Sequence, residues 1–276
     1  MKDLFEKEHS DYREYTVFQD ESWCEKSNFF YHGFLFIRNN QGRRILNKII
    51  SMKEENNRRW RDLSFKDIQG VVAKSEEGRK ASIVQSWLEL ANVELQKGSI
   101  KFYLFGVNKT NIKNFWLSGN FNKNIYLRFF ELGLKSSVGW FGEDKSEARP
   151  LRISHLYYER GSYNDERKNK VKWLDYEFFR KGLPWVFPSH DNISELYSNE
   201  KKSGSEFSNF IQFTDIILGA CKYSFIKIPP SAQGKQQCVD GFIEIIERFN
   251  NKKSAYNIKS KYYKNFCINF FQQKVI

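Results

Sequence analysis

Two periods of apolar and polar residues alternate along this chain of 276 residues. Residues 14–19 carry apolar and β-branched side chains without a breaker, which predicts a strand that ends at the polar Asp20-Glu21-Ser22. Residues 28–37 predict a second, strongly aromatic strand set well inside a sheet, and the short polar link predicts an antiparallel hairpin. From 41 to 60 the period lengthens to that of a helix. Ile45, Leu46, Ile49 and Ile50 share one face, with Arg43, Arg44, Lys48 and Lys53 around it. Residues 60–65 read as a short third strand, 76–96 as a helix, 99–107 as a buried strand and 124–134 as a helix. Residues 152–159 are a further strand ending in an acid, and 165–181 a charged amphipathic helix. A brief segment at 193–197 lies in a passage punctuated by Pro184, Pro188 and Gly204.

The best-marked helix follows. Ser203-Gly-Ser-Glu206 has the spacing of a capping box, in which Ser203 and Glu206 satisfy each other's backbone amides. Phe207, Phe210, Ile211, Thr214, Ile217, Leu218 and Cys221 then trace one apolar arc. Asp215 lies at the edge of that arc, where its carboxylate points along the seam between helix and sheet. After Pro229-Pro230 and Gly234, residues 239–249 predict a helix, while 252–273 suit either a helical tail or appended strands. One α/β domain accommodates this order: a mixed sheet flanked by helices, over residues 1–228 with insertions. Residues 229–276 then form a C-terminal helical extension packed on the same domain.

Charge adds a partner class. Lys and Arg number 45 against 33 Asp and Glu, a net charge of +12 that favours a polyanion such as DNA or RNA. No window approaches the length of a membrane span and the N-terminus lacks an apolar signal core, so a cytoplasmic protein without a membrane partner is expected. The four cysteines, Cys24, Cys221, Cys238 and Cys267, are scattered and read as reduced, buried thiols. Walker, dinucleotide-binding, nucleophile-elbow and zinc-protease motifs are all missing. His32 and His155 sit inside predicted strands, where a structural role is expected.

What remains is a set of acids at the ends of core elements: Asp20 and Glu21, Asp62, Glu159 and Asp215. A carboxylate in such a place costs several kcal/mol unless it is paired or bound to a cation. Converging carboxylates offer only oxygen, which suits Mg²⁺ or Mn²⁺ rather than zinc. Two such ions about 4 Å apart can activate water and stabilise the leaving oxygen of a phosphodiester. Singly, each acid also has an ordinary reading, with Asp62 paired to Arg59 or Arg61 and Glu159 to Arg160.

Asp20-Glu21-Ser22 after a first strand, an aromatic strand running through Gly33, and Gln212-Phe-Thr-Asp215 in a late helix together resemble the domain-of-unknown-function family 3800. The stretch Asp62-Leu-Ser-Phe-Lys-Asp-Ile68 and the strand end Tyr157-Tyr-Glu-Arg160 are similar to that family's middle motifs, with Asp62 where Glu is more usual. The resemblance spans roughly residues 14–222. It implies a ribonuclease-H-like fold, a mixed sheet whose central strand carries the first catalytic Asp. Asp20 would then bridge two metals and Asp215 complete the site, with Glu21, Asp62 and Glu159 as further ligands or water-positioning acids. Asn108 stands where such folds often place an acid, so either Glu159 fills that role or one metal position is weakened.

The expectation is a metal-dependent nuclease using Mg²⁺ or Mn²⁺. Arg43, Arg44, Lys48, Arg58, Arg59 and Arg61, with Lys168, Lys170 and Lys172 as a second run, are expected to track the phosphate backbone. The alternatives are a nucleic-acid-binding protein with a degenerate site, or a toxin-like antiviral defence effector held silent by a regulatory partner.

Overall fold

A computed structural model describes residues 11–24, 29–59, 62–68, 76–108, 112, 121–142, 149–160, 164–180, 188, 190–225, 234–239, 242 and 265–271. Strands β1 (Arg13–Cys24), β2 (Phe29–Arg38) and β3 (Ile100–Asn108) form an antiparallel meander. Strands β4 (Leu151–Glu159) and β5 (Ile193–Leu196) extend it in parallel beside β1, and β6 (Phe266–Phe271) adds in parallel to β3. The mixed sheet therefore has the order β5-β4-β1-β2-β3-β6, with β1 in its interior. Helices α1 (Asn39–Glu55), α2 (Glu76–Lys97), α3 (Phe121–Gly142), α4 (Asn164–Arg180), the short α5 (Glu200–Ser203) and α6 (Ser208–Phe225) complete the described elements.

Two apolar cores form because the strands are buried on both faces. One joins Phe18, Leu35, Phe102 and Tyr157 to α1, α2 and α6. The other joins Val17, Phe34, Phe105 and Tyr158 to α3 and α4. Pleating sends alternate residues of a strand to opposite faces. Asp20 thus lies on the α6 face with Phe18, and Glu21 on the α3/α4 face with Val17 and Gln19.

The hairpin, the helices near 41–60, 76–96, 124–134, 165–181 and 207–221, and the strands near 99–107, 152–159 and 193–197 match the sequence reading to within a few residues, except that the first helix stops at Glu55 and the third runs on to Gly142. Four expectations are corrected. Asp20-Glu21-Ser22 does not end β1, which runs to Cys24 because β2 pairs with it along that whole stretch. Over residues 62–65 there is no third strand but irregular chain entering a single 3-10 turn, Phe65–Asp67. The capping box is absent. Ser203 ends α5, which closes on Gly204 in the left-handed region at φ 64°, while the Glu206 carboxylate pairs with Arg43. The Ser205 hydroxyl instead accepts from the Phe207 amide at 3.3 Å. Finally, the C-terminal extension is not wholly helical. Residues 234–239 are, but β6 joins the sheet; residues 243–264, including most of the helix expected at 239–249, lie outside the described residues.

Two glycines set how closely α6 approaches its neighbours. A Cβ on Gly33, which stands opposite Asp20 on β2, would meet Leu218 of α6 at 3.4 Å and Phe102 at 3.2 Å. A Cβ on Gly219 would lie 2.4 Å from both Cβ and Cγ of Phe65, a distance no side chain tolerates. Gly219→Ala should therefore push the 3-10 turn off α6 and destabilise the protein by about 1–3 kcal/mol, the usual scale of overpacking. Urea denaturation would show it. Gly33→Ala, with contacts a few tenths of an ångström tight, should cost less.

Candidate functional site

Helix α6 crosses β1 and β2, and one side of it carries Ile211, Gln212, Asp215, Gly219 and Lys222 at helical spacing. These residues line a cavity of about 530 Å³ together with Asp20, Glu21, Ser22, Glu159 and the 62–67 segment. β1 and β4 run in parallel with Gln19 opposite Tyr158, so Asp20 and Glu159 are the next residues along both strands. Tyr157 belongs to the α6-side core, which places Glu159, two residues on, over the same face as Asp20.

The spacing of Gln212 and Asp215 has a concrete local purpose. Gln212 Oε1 accepts from the Leu63 amide at 3.0 Å, and Asp215 Oδ2 accepts from the Phe65 amide at 2.9 Å and the Ser64 hydroxyl at 2.7 Å. One turn of α6 thus holds two alternate amides of an irregular segment that has no sheet partner, which is why residues 62–65 need not be a strand. Gln212 also accepts from the buried Lys53 ammonium at 3.3 Å and donates to the Ser198 carbonyl at 2.6 Å. Burial brings Lys53 down to about 8.

The carboxylates perturb one another. Burial is the largest cause holding the Asp20 carboxyl well above the ordinary range, followed by the negative charges of Asp215, Glu159 and Glu21. Asp215 is raised by burial and by Glu159, against the Ser64 and Phe65 hydrogen bonds and the Lys66 charge, which lower it. Asp20, Glu159 and Asp215 are therefore brought within electrostatic reach from three separate elements.

Glu21 is a different case. It lines the cavity, yet on the opposite face of the sheet its Oε1 meets Arg167 of α4 at 3.3 Å and its Oε2 accepts from Gln19 at 3.1 Å. Burial raises it, and the Arg167 charge is the chief influence pulling it back. Arg167 is fully buried, lies over the rings of Tyr126 (4.4 Å) and Tyr158 (4.6 Å), and donates to the Glu159 carbonyl at 3.2 Å. It ties β1 at Glu21 to the end of β4 behind the acids. His32 joins this network through Gln19 at 3.2 Å, and burial keeps it well below its ordinary value, so it serves structure as the sequence suggested. His155 is likewise lowered by burial and stacks on Tyr157.

Asp62 lines the cavity from an exposed position and accepts from Asn199 at 2.9 Å; its charge is felt at Lys53. The expected phosphate-tracking cluster is not presented to the cavity. Arg43 pairs with Glu206; Arg44 and Lys48 both pair with the buried Glu94, at 2.5 and 3.7 Å; Arg59 pairs with Glu54 and Glu200. Arg58 is buried, and Arg61 lies outside the described residues. Lys168, Lys170 and Lys172 ride on α4 beyond the other face of the sheet, and Lys170 pairs with Glu131 at 3.0 Å. Glu159 is not matched to Arg160 as its ordinary reading supposed, since that guanidinium faces Glu195 at 3.7 Å and Tyr197. The structure adds Ser64, Lys66, Asp67, Lys222, Tyr223 and Lys235 to the cavity. Lys222 was within reach of the sequence, because it stands seven residues, two helical turns, after Asp215.

The donor set is oxygen alone, and Asp20 and Asp215 are held at raised proton affinity by burial and by neighbouring negative charge, which a hard divalent cation would relieve. In that chemical sense Asp20, Glu159 and Asp215 fit Mg²⁺ or Mn²⁺. Among the described residues, however, no group of three or more His, Cys, Asp or Glu is arranged to hold a metal ion. No family model, curated protein or solved structure matches this chain.

Two outcomes follow from the electrostatics. A carboxyl with greater proton affinity folded than unfolded contributes stability that is complete below the unfolded range near 4 and is lost as pH rises through the folded value. In chelator, the melting temperature should therefore fall as pH rises above about 4. Asp20→Asn should flatten that fall and melt higher at neutral pH; an unchanged pH profile would show that Asp20 is not held against its neighbours. Arg167→Met, which strips Glu21 of its counter-charge, should cost about 3 kcal/mol in urea denaturation. Adding Glu21→Gln should recover part of that loss.

Proposed function

We propose that this chain is a metal-dependent nuclease of ribonuclease-H-like fold, hydrolysing nucleic-acid phosphodiesters. The observation that carries the reading is the convergence of Asp20, Glu159 and Asp215, from β1, β4 and α6, on one side of an interior strand and one cavity. The fold assignment draws on the sheet itself, whose interior strand bears the first acid of the series as the family resemblance implies. Composition supports a polyanionic substrate, with a net charge of +12.

The chain's own residues have distinct parts in this reading. Asp20, the most deeply buried of the acids, feels the charges of both Asp215 and Glu159 and would be the principal metal ligand. Asp215 is oriented by Ser64 and the Phe65 amide through Oδ2. Glu159 is held from behind by Arg167, which fixes its backbone carbonyl. Mg²⁺ or Mn²⁺, when bound, would supply an acidified water and charge stabilisation for the leaving oxygen. Glu21, neutralised by Arg167, is better suited to supporting the site than to ligation.

A nucleic-acid-binding protein with a degenerate site is the second reading, favoured by the lack, among the described residues, of a group arranged to hold a metal ion and by Asn108 at the end of β3. Cleavage of labelled DNA and RNA, with Mg²⁺, Mn²⁺ or EDTA, decides between the two. The expected result is cleavage that EDTA abolishes and that Asp20→Asn and Asp215→Asn each reduce to the no-enzyme level, both variants remaining folded by circular dichroism. Turnover unaltered in both variants would overturn the site, and folded wild type without turnover on any substrate would favour the binder.

A further inference from the structure

With Arg43, Arg44, Lys48 and Arg59 committed to carboxylates, positive charge that faces the acids comes from elsewhere. Three lysines from three separate segments line the cavity: Lys66 in the 3-10 turn, Lys222 on α6, and Lys235 in the helical residues 234–239. At the cavity, Lys222 donates to the Ser22 hydroxyl at 2.7 Å, and the Lys235 ammonium stands 5.9 Å from the centre of the Phe65 ring. Lys66 is exposed, and its charge is felt by Asp215.

We propose that Lys66, Lys222 and Lys235 are the phosphate-binding groups of this site and that its ligand is a single nucleic-acid strand. The proposal rests on the nuclease reading for the chemistry that follows binding, not for the binding itself. Ser22 lies two residues beyond Asp20 on the same side of β1, so Lys222 stands along the strand from the acids. Lys66 and Lys235 approach from the Phe65 side. A phosphate between these groups would have ammonium donors on its non-bridging oxygens while the ester faced the carboxylates. Size selects the single strand. A recess of about 530 Å³ is in the range of small-ligand pockets and takes the bulk of one nucleotide at a time, not that of two paired strands. Tyr223, half-buried on the cavity wall, offers a ring on which an unpaired base could stack.

The test is equilibrium binding of fluorescein-labelled single-stranded DNA, single-stranded RNA and duplex DNA in EDTA, read by anisotropy from low to moderate salt. Lys66→Gln, Lys222→Gln and Lys235→Gln should each weaken single-strand binding and reduce the slope of log affinity against log salt by about 0.7. The triple variant should lose at least about tenfold at moderate salt. Lys97→Gln, an exposed lysine at the end of α2, should bind like wild type. Because Lys222 contacts Ser22, the Lys66→Gln, Lys235→Gln double variant repeats the test with that bond intact. Wild-type affinity in the triple and double variants, an equal loss in Lys97→Gln, or duplex bound as tightly as single strand would overturn the proposal. Lysine-dependent binding without metal-dependent cleavage would overturn the nuclease reading and leave this inference standing. Cleavage that survives in variants with undiminished binding would do the reverse.

Discussion

How close α6 comes to β1 and β2 decides everything at the cavity. Leu218 rests where a side chain at Gly33 would begin to crowd it, and the 3-10 turn rests where a side chain at Gly219 could not fit. Those two small positions let the helix sink until Asp215 and Asp20 lie within electrostatic reach. Placing larger residues there would relieve a repulsion, yet it would also dissolve the cluster. A chain selected for stability alone has no reason to keep such an arrangement, because buried like charges raise one another's proton affinity and lower stability at neutral pH.

The cost is offset locally rather than by burying more apolar surface. Asp215 keeps two hydrogen bonds from the 64–65 segment, and Asp20 accepts from the Glu21 amide at 2.8 Å. Across the sheet, Arg167 is ringed by Tyr126, Tyr158 and Phe130, binds Glu21 and caps the Glu159 carbonyl. The sheet therefore separates two electrostatic regimes. On the α4 face an acid is neutralised by a buried cation; on the α6 face acids are left facing a cavity. Adjacent residues of one strand, Glu21 and Asp20, take opposite fates because pleating points them apart.

The regular elements were legible in the sequence because their periodicity is local, and Asp215 was legible because an acid at the rim of an apolar arc violates its own pattern. What failed was long-range. Arg43, Arg44 and Arg59 look like a basic cluster in one dimension, but their partners Glu206, Glu94 and Glu200 lie 50 to 163 residues away. Residues 62–65 have strand-like composition and no strand partner; Gln212 and Asp215 satisfy their amides instead. Asp20-Glu21-Ser22 resembles a polar turn, yet β2 extends β1 through it, and nothing in the local sequence announces that pairing. Ser203 to Glu206 has the letters of a capping box, overridden by the reach of Arg43.

The spacing of Gln212 and Asp215 deserves a reading of its own, since scaffold and chemistry share it. Both side chains accept from alternate amides of the same segment, so the pair would be explicable as a purely structural clamp. Two facts argue for more. An amide side chain suffices for the clamp at position 212, and an amide would accept the same bonds at 215; choosing a carboxylate there adds a charge beside Asp20 and Glu159 without adding a bond. The clamp also delivers Lys66, one residue beyond the anchored Phe65, to the cavity that holds those acids. A clamp built only for stability would place an uncharged acceptor at both positions. The charge at Asp215 is the part of the motif that the packing does not require, and it is aimed at the cavity.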